Sequence, residues 1–189
     1  MPHRPVVRES RLTTKVRPVF DASAKGVNGV SLNDCMLSGP SLSPDLTCIL
    51  IRFRRWKIAL SSDVSKAFLQ ISVNPQDRDV HRFLWNDNGV VRILRFCRVS
   101  FGNKGSPFLL NATINFHLSK FQASKAVQEL SKNLYVDDLL TGTDDEEEAC
   151  HMTCEVNSII DEASMPMAKW CSNFESVAEL LTREFSDRT

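Results

Sequence analysis

Glycine and tyrosine are scarce in this chain, with 7 and 1 among 189 residues. With 8 prolines and no internal repeat, that excludes a collagen-like or low-complexity chain. Apolar runs never exceed a few residues, too short for a transmembrane helix. The opening stretch from Met1 to Ser10 carries Arg4 and Arg8 but no apolar h-region, so it is not a signal peptide, and the chain is expected to be soluble and intracellular. None of the six cysteines forms a C-x-x-C pair, so they are expected to be reduced and partly buried. Cys150, His151 and Cys154 could approach a metal from one helix, but no second ligand pair follows at zinc-like spacing.

Net charge is also missing, since 23 Lys and Arg balance 23 Asp and Glu. That zero hides a split. Residues 1–100 carry 16 basic against 8 acidic residues, and residues 101–189 carry 7 against 15. Such a division suits a protein that meets a polyanion with one surface and holds cations with another. Two solvated faces segregated by chance are the plainer alternative. Hydrophobic residues at 42% and charged residues at 24% provide for a real core without disulfides, in one domain of ordinary size or one and a half small ones.

Residues 3–21 alternate as strands do around a polar turn near Glu9-Ser10-Arg11. Residues 21–42 read as loop. Ser43 as N-cap with Pro44 at the first helical position opens a helix. Its apolar stripe is Leu46, Ile49, Leu50 and Phe53, and Arg52, Arg54, Arg55 and Lys57 cluster near its end. A strand from Lys57 runs into Asp63, and two more are expected at 80–85 and 90–98. Ser106-Pro107 repeats the helix-start signature, for a helix to about Phe121. Residues 132–141 read as a tight hairpin with Asp137-Asp138 at its tip. Thr143-Asp144-Asp145-Glu146 matches a capping box for a helix to about Ala163. A last strand is expected at 165–171, at a sheet edge or distorted because Pro166 cannot donate to the ladder. The tail frays or forms a short helix. The pattern indicates an α+β fold with helices on one face of an antiparallel sheet.

The chemistry concentrates in three carboxylates. Asp63 ends an apolar strand and Asp137-Asp138 sit at a turn, so neighbouring strands would bring all three to one sheet edge. Such a cluster raises its own pKa values and calls for cations between its members. Oxygen ligands at a solvent-reachable edge favour Mg²⁺ or Mn²⁺, completed by water and phosphate. Taken alone, Asp137-Asp138 are also ordinary turn residues.

The residues around these carboxylates resemble the boxes of reverse transcriptases. Leu134-Tyr135-Val136-Asp137-Asp138-Leu139-Leu140 is similar to the Y-x-D-D box. Asp63-Val64-Ser65-Lys66-Ala67-Phe68 resembles the first catalytic box. Phe101-Gly102-Asn103-Lys104-Gly105-Ser106-Pro107-Phe108 is similar to the template-and-nucleotide box. The segments Val19–Lys25, Ser106–Ile114 and Lys169–Asn173 resemble the Pao/BEL branch of retrotransposons. Together the resemblance covers the chain from about Pro2 to Asn173.

What the resemblance implies is an RNA-directed DNA polymerase with a ferredoxin-like palm. Residues 1–45 would be partial fingers and connecting loop, residues 46–175 the palm with a fingers insertion near 75–100, and residues 176–189 a frayed tail. Two Mg²⁺ or Mn²⁺ ions would be held by Asp63, Asp137, Asp138 and the carbonyl of Val64. Lys169 would protonate departing pyrophosphate. Arg17, Phe68 and Gly102 would meet the dNTP, Phe68 as the steric gate against a ribose 2′-hydroxyl. Tyr135, Gly105, Ser106 and Pro107 would meet an RNA template and a DNA or RNA primer. No membrane is implied, and location follows the element's life cycle, cytoplasmic and then nuclear. Two positions depart from the pattern: Phe101 stands where many retroviral relatives carry a polar residue, and Ala163–Met167 replaces a glycine-bearing approach to Lys169. With no thumb, RNase H, protease or integrase sequence, the chain reads as a polyprotein fragment. A non-catalytic nucleic-acid-binding remnant, its basic half holding a backbone without extension, is the alternative from another class.

Overall fold

The computed structural model describes residues 1–7 and 16–185. Its elements run β1 (His3–Val7), β2 (Val16–Phe20), α1 (Leu46–Phe53), β3 (Ile58–Val64), α2 (Ala67–Gln70), β4 (Arg82–Asp87), β5 (Val90–Arg95) and α3 (Ser106–Leu118). Then follow α4 (Lys125–Asn133), β6 (Leu134–Tyr135), β7 (Asp138–Thr143), α5 (Glu146–Asp161), β8 (Met167–Ser172) and α6 (Glu175–Phe185). The chain forms two compact units, Met1–Pro40 with Phe68–Pro107, and Ser41–Ala67 with the chain from Phe108 onward.

In the first unit β1 pairs antiparallel with β2, His3 opposite Phe20 and Val7 opposite Val16. The turn expected near Glu9 lies outside the described residues. β4 and β5 form a hairpin turned by Asn88 and Gly89 at φ 52° and 91°, the Asn-Gly pair that tolerates two positive φ values in a row. Residues 80 and 81, expected in a strand, end a 3-10 segment that starts at Pro75. Asn74 caps it by accepting from the Gln76 N–H at 3.1 Å. Rings hold this unit together: Phe20 meets His3, Phe83 and Phe96 at centroid distances of 5.2, 4.9 and 4.7 Å. In the loop before α1, Asp34 accepts from the Lys25 ammonium and from both N–H and hydroxyl of Ser31. Lys25 above all holds that carboxyl well below its ordinary range.

The second unit is built on a four-stranded antiparallel sheet of order β6-β7-β3-β8. β3 alternates buried and half-buried residues along its whole length. Ile58 and Leu60 pack on Ala149 of α5 and on Val177 and Leu181 of α6, with Trp170, Phe174 and Phe185 beside them. Each such aliphatic side chain contributes about 1.5–3 kcal/mol by leaving water. Of the two courses open to the tail, the chain takes the helix. α6 buries Val177 and Leu181, so residues 176–185 are part of the core and not a frayed end. β8 lies at the sheet edge, as Pro166 foretold.

Several local expectations are corrected. Asp45, not Ser43, caps α1, accepting from the Cys48 N–H at 2.9 Å. Its neighbours Leu46 and Leu50 are exposed, leaving Ile49 as the helix's buried residue. Asp145, not Thr143, caps α5, accepting from Glu148 N–H at 3.0 Å. Thr143 stays in β7 and donates to the Asp145 carbonyl at 2.7 Å. In both cases a carboxylate two residues downstream outcompetes a hydroxyl for the helix amides. Ser106 is the first residue of α3, and its hydroxyl donates to the Ser100 carbonyl at 2.7 Å instead of capping. α4 is not among the expected elements. All six cysteines are free and five are exposed, not partly buried. No helix among the described residues is long and apolar enough to cross a membrane.

Two predictions follow from packing and burial. A Cβ at Gly142 of β7 would stand 2.4 Å from the Ile58 carbonyl oxygen and 2.8 Å from Trp56 Cβ. Gly142→Ala therefore lowers unfolding free energy by about 1–3 kcal/mol or more, read by chemical denaturation; an unchanged midpoint would contradict this. In the first unit burial pushes His81 below its ordinary range, against the pull of Asp77. Its Nδ1 faces Asn103 Nδ2 at 3.1 Å and accepts from that amide. A depressed imidazole pKa contributes stability above the unfolded value near 6.5, lost as pH falls through that value toward the folded one. Amide exchange at 81–83 should accelerate below that pH, and His81→Gln should flatten the dependence.

Candidate active site

β3 delivers Asp63 and the β6–β7 hairpin delivers Asp137 and Asp138. Asp63 lies directly across from Asp138 in the β3–β7 ladder. Val64 N–H donates to the Asp137 carbonyl at 2.8 Å, closing the pairing at its end. On the other flank Asp63 pairs with Ala168 of β8, and a register shift separates this pairing from Ser61–Cys171. Ser62 Oγ donates to the Ala168 carbonyl at 2.7 Å. Lys169 follows at φ 55°, a left-handed conformation uncommon for a residue with a side chain. Its ammonium donates to Asp63 Oδ2 at 2.5 Å.

The other oxygen of Asp63, Oδ1, is buried with no hydrogen-bond partner. An unpartnered buried carboxylate oxygen costs on the order of 1–3 kcal/mol, so it marks a place where another positive group fits. Burial pushes Asp137 above its ordinary value, and the charges of Asp138 and Asp63 add to this, while Lys169 pulls it down. The turn holds Val136 at φ 58°. For a β-branched residue that is strain of about 1–3 kcal/mol.

These residues fit divalent cations in the manner expected of Mg²⁺, which takes one or two carboxylates and leaves other positions to water and phosphate. They are not a closed cage. Among the described residues no three His, Cys, Asp or Glu side chains form a group that could hold an ion by themselves, Cys150, His151 and Cys154 included.

Of the remaining candidates, Tyr135 pairs with Asp138 in the β6–β7 ladder. Tyr135 is exposed on β6 and Arg17 is exposed on β2. Phe68 in the first unit is buried at 7% exposure, its ring edge-on to Phe101 at 4.9 Å. Gly102 has φ 86°, and a Cβ there would stand 2.9 Å from the Phe20 carbonyl oxygen. Its close approach is thus met within the fold itself. Gly105 is buried, with a Cβ position 3.1 Å from the Leu37 carbonyl. The Ser106 hydroxyl is engaged by Ser100, and Pro107 is exposed.

Sequence reading missed Asn33. Its Nδ2 donates to the Gly102 carbonyl at 2.9 Å, and its Oδ1 accepts from Lys104 N–H at 2.8 Å. One side chain thereby fixes the 102–104 loop from 69 residues away, and nothing in a lone asparagine within a loop signals this.

The family model described as reverse transcriptase (RNA-dependent DNA polymerase) matches residues 12–174. A search of curated proteins gives no match. Among solved structures the chain is similar to prototype foamy virus protease-reverse transcriptase, at 20% identity and a TM-score of 0.64 over 88% of this chain and 19% of that one. A foamy viral protease-reverse transcriptase in complex with RNA/DNA hybrid gives 21% identity and 0.63 over 86% of this chain and 19% of that one. The enzyme in complex with double-stranded DNA gives 23% and 0.63 over 88% of this chain and 30% of that one. At these identities the likeness is one of fold, and the chain spans less than a third of each of these proteins.

The Lys169–Asp63 pair generates a prediction. Lys169→Met leaves Asp63 without the counter-charge that Lys169 supplies and lowers the thermal midpoint in metal-free buffer. The ammonium is largely exposed, so the loss is about 1 kcal/mol or less. Added Mg²⁺ should recover more stability in the variant than in the wild type. Equal shifts in both proteins would contradict the pairing of Lys169 with the cation position.

Proposed function

The chain belongs to the reverse transcriptase (RNA-dependent DNA polymerase) family, and from that footing we propose that it carries the nucleotidyl-transfer site of an RNA-directed DNA polymerase. The observation that carries the reading is Asp63 facing Asp138 in register, with Asp63 Oδ1 buried and unpartnered. Asp63, Asp137, Asp138 and the Val64 carbonyl would hold two Mg²⁺ or Mn²⁺ ions. Ions so bound lower the pKa of a primer 3′-hydroxyl and neutralise charge on the phosphate it attacks.

The protein's own groups do the rest. Asp63 and Asp138 are held opposite each other because β3 and β7 are locked in register, and half-burial of Asp137 would exclude water from its side. Lys169 holds a proton at Nζ beside Asp63, where it can be passed to departing pyrophosphate as general acid. Arg17 would meet the triphosphate. Tyr135, Gly105, Ser106 and Pro107 would guide template and primer, the buried Gly105 and Ser106 through the backbone they shape. We assign Phe68 to discrimination against ribonucleotides. The second unit then serves as palm and the first as part of the fingers.

The finer reading places the chain in a Pao/BEL-type retrotransposon polyprotein, supported by the segments Val19–Lys25, Ser106–Ile114 and Lys169–Asn173. Its partners are an RNA template, a DNA or RNA primer and dNTPs, and its place is the cytoplasm and then the nucleus. That solved structures of the same fold are titled as complexes with RNA/DNA hybrid and double-stranded DNA supports the nucleic-acid partners.

Primer extension on an RNA template tests the reading. Wild type with Mg²⁺ or Mn²⁺ should incorporate dNTPs, and Asp137→Asn should reduce this by at least about 100-fold, the scale of losing one charge-stabilising group. Phe68→Val should lower the preference for dNTP over NTP by roughly 10–100-fold. Template binding that survives chelation without any incorporation would favour the non-catalytic remnant instead.

A further inference from the structure

The hairpin that presents Asp137 and Asp138 has a weak first arm. β6 is two residues long, lies at the sheet edge, and pairs through only Leu134–Leu139 and Tyr135–Asp138. An arm this short, closing on a turn with Val136 at φ 58°, opens readily unless something outside the ladder ties it down.

Glu129 supplies the tie. Its Oε2 accepts from Asn133 Nδ2 at 2.5 Å and from Thr141 Oγ1 at 2.6 Å. Asn133 is the last residue of α4, directly before β6, and Thr141 lies on β7. One carboxylate oxygen therefore joins the two arms at the open end of the hairpin. Asn133 is 2% exposed and Thr141 is 0% exposed, and Glu129 is half-buried, so these bonds are partly shielded from water. Arg52 of α1 completes the arrangement: its Nε donates to Asn133 Oδ1 at 2.8 Å and its Nη2 to the Lys132 carbonyl at 2.6 Å. The Asn133 amide thus bridges guanidinium and carboxylate, a chain in which each bond is charge-assisted at one end.

We infer that Glu129 is a positioning residue for the catalytic hairpin, fixing Asp137 and Asp138 against Asp63 without touching substrate. The inference rests on the polymerase reading for its consequence, but the positioning itself is measurable without turnover. Glu129→Gln keeps an acceptor oxygen of the same reach, whereas Glu129→Met keeps the bulk and removes the acceptor.

Hydrogen–deuterium exchange of amides 134–141 is the first readout. In Glu129→Met it should accelerate by about tenfold or more, the scale of losing a charge-assisted hydrogen bond, while α5 and α6 keep wild-type rates. Glu129→Gln should stay within about threefold of wild type, since a neutral acceptor costs less. In primer extension kcat of Glu129→Met should fall by on the order of 10–100-fold at nearly constant KM for dNTP, as misplacement of reacting groups does. Unchanged exchange at 134–141, or an equal rise throughout the second unit, would overturn the positioning role. A wild type that incorporates nothing would count against the polymerase reading alone, because the exchange comparison stands without it.

Discussion

The pairing of β3 with β7 is the constraint on which the site depends. Asp63 can face Asp138 only if every rung from Ile58–Thr143 onward is in register. A one-residue slip would turn Asp63 toward the hydrophobic face and Ser62 outward. The register is fixed by burial on one side of β3, where Ile58 and Leu60 meet α5 and α6. It is fixed again by Gly142, where only a hydrogen fits beside the Ile58 carbonyl. Core packing and carboxylate geometry are thus one requirement.

Around that pairing the molecule holds a set of groups that disfavour one another. Asp137 is pushed up by burial and by two neighbouring carboxylates, Asp63 keeps a buried oxygen without a partner, and Val136 and Lys169 have positive φ. Strain and unsatisfied charge are thus concentrated in a few residues at one end of β3, next to the register shift between Ser61 and Asp63, and such clustering is typical of functional sites. Lys169 meets part of the need by placing its ammonium on Asp63. The Arg52–Asn133–Glu129–Thr141 chain supplies rigidity from outside the ladder.

Much of this was legible in the sequence. The strand running into Asp63, the Asp137-Asp138 turn and the edge position imposed by Pro166 follow from the apolar run, from turn chemistry and from what proline cannot donate. Asp63 and Asp138 lie opposite each other as their strand ends suggested, but among the described residues the three carboxylates do not close into a group that could hold an ion by itself. Caps were misread because Ser43 and Thr143 match the usual signatures, while Asp45 and Asp145, two residues on, compete better for the same amides. α4 does carry a signal, Ser124 as N-cap with Ala126, Val127 and Leu130 at helical spacing, but it is only nine residues long and its last residues overlap the hairpin expected from residue 132. The roles of Asn33 and Glu129 had no sequence signal at all, since each acts through partners that the fold alone brings near. Nor does the sequence signal that Gly102 lies against the Phe20 carbonyl of the chain itself.

We propose that β3 and the β6–β7 hairpin together form a divalent-cation site. Titration of the protein with Mn²⁺, observed as paramagnetic broadening of backbone amide resonances, tests it most directly. Broadening confined to residues near 63–65 and 136–138, reversed by excess Mg²⁺ and lost in Asp63→Asn, is the predicted result. Broadening centred on the acidic first turn of α5, or unaffected by Asp63→Asn, would contradict the account.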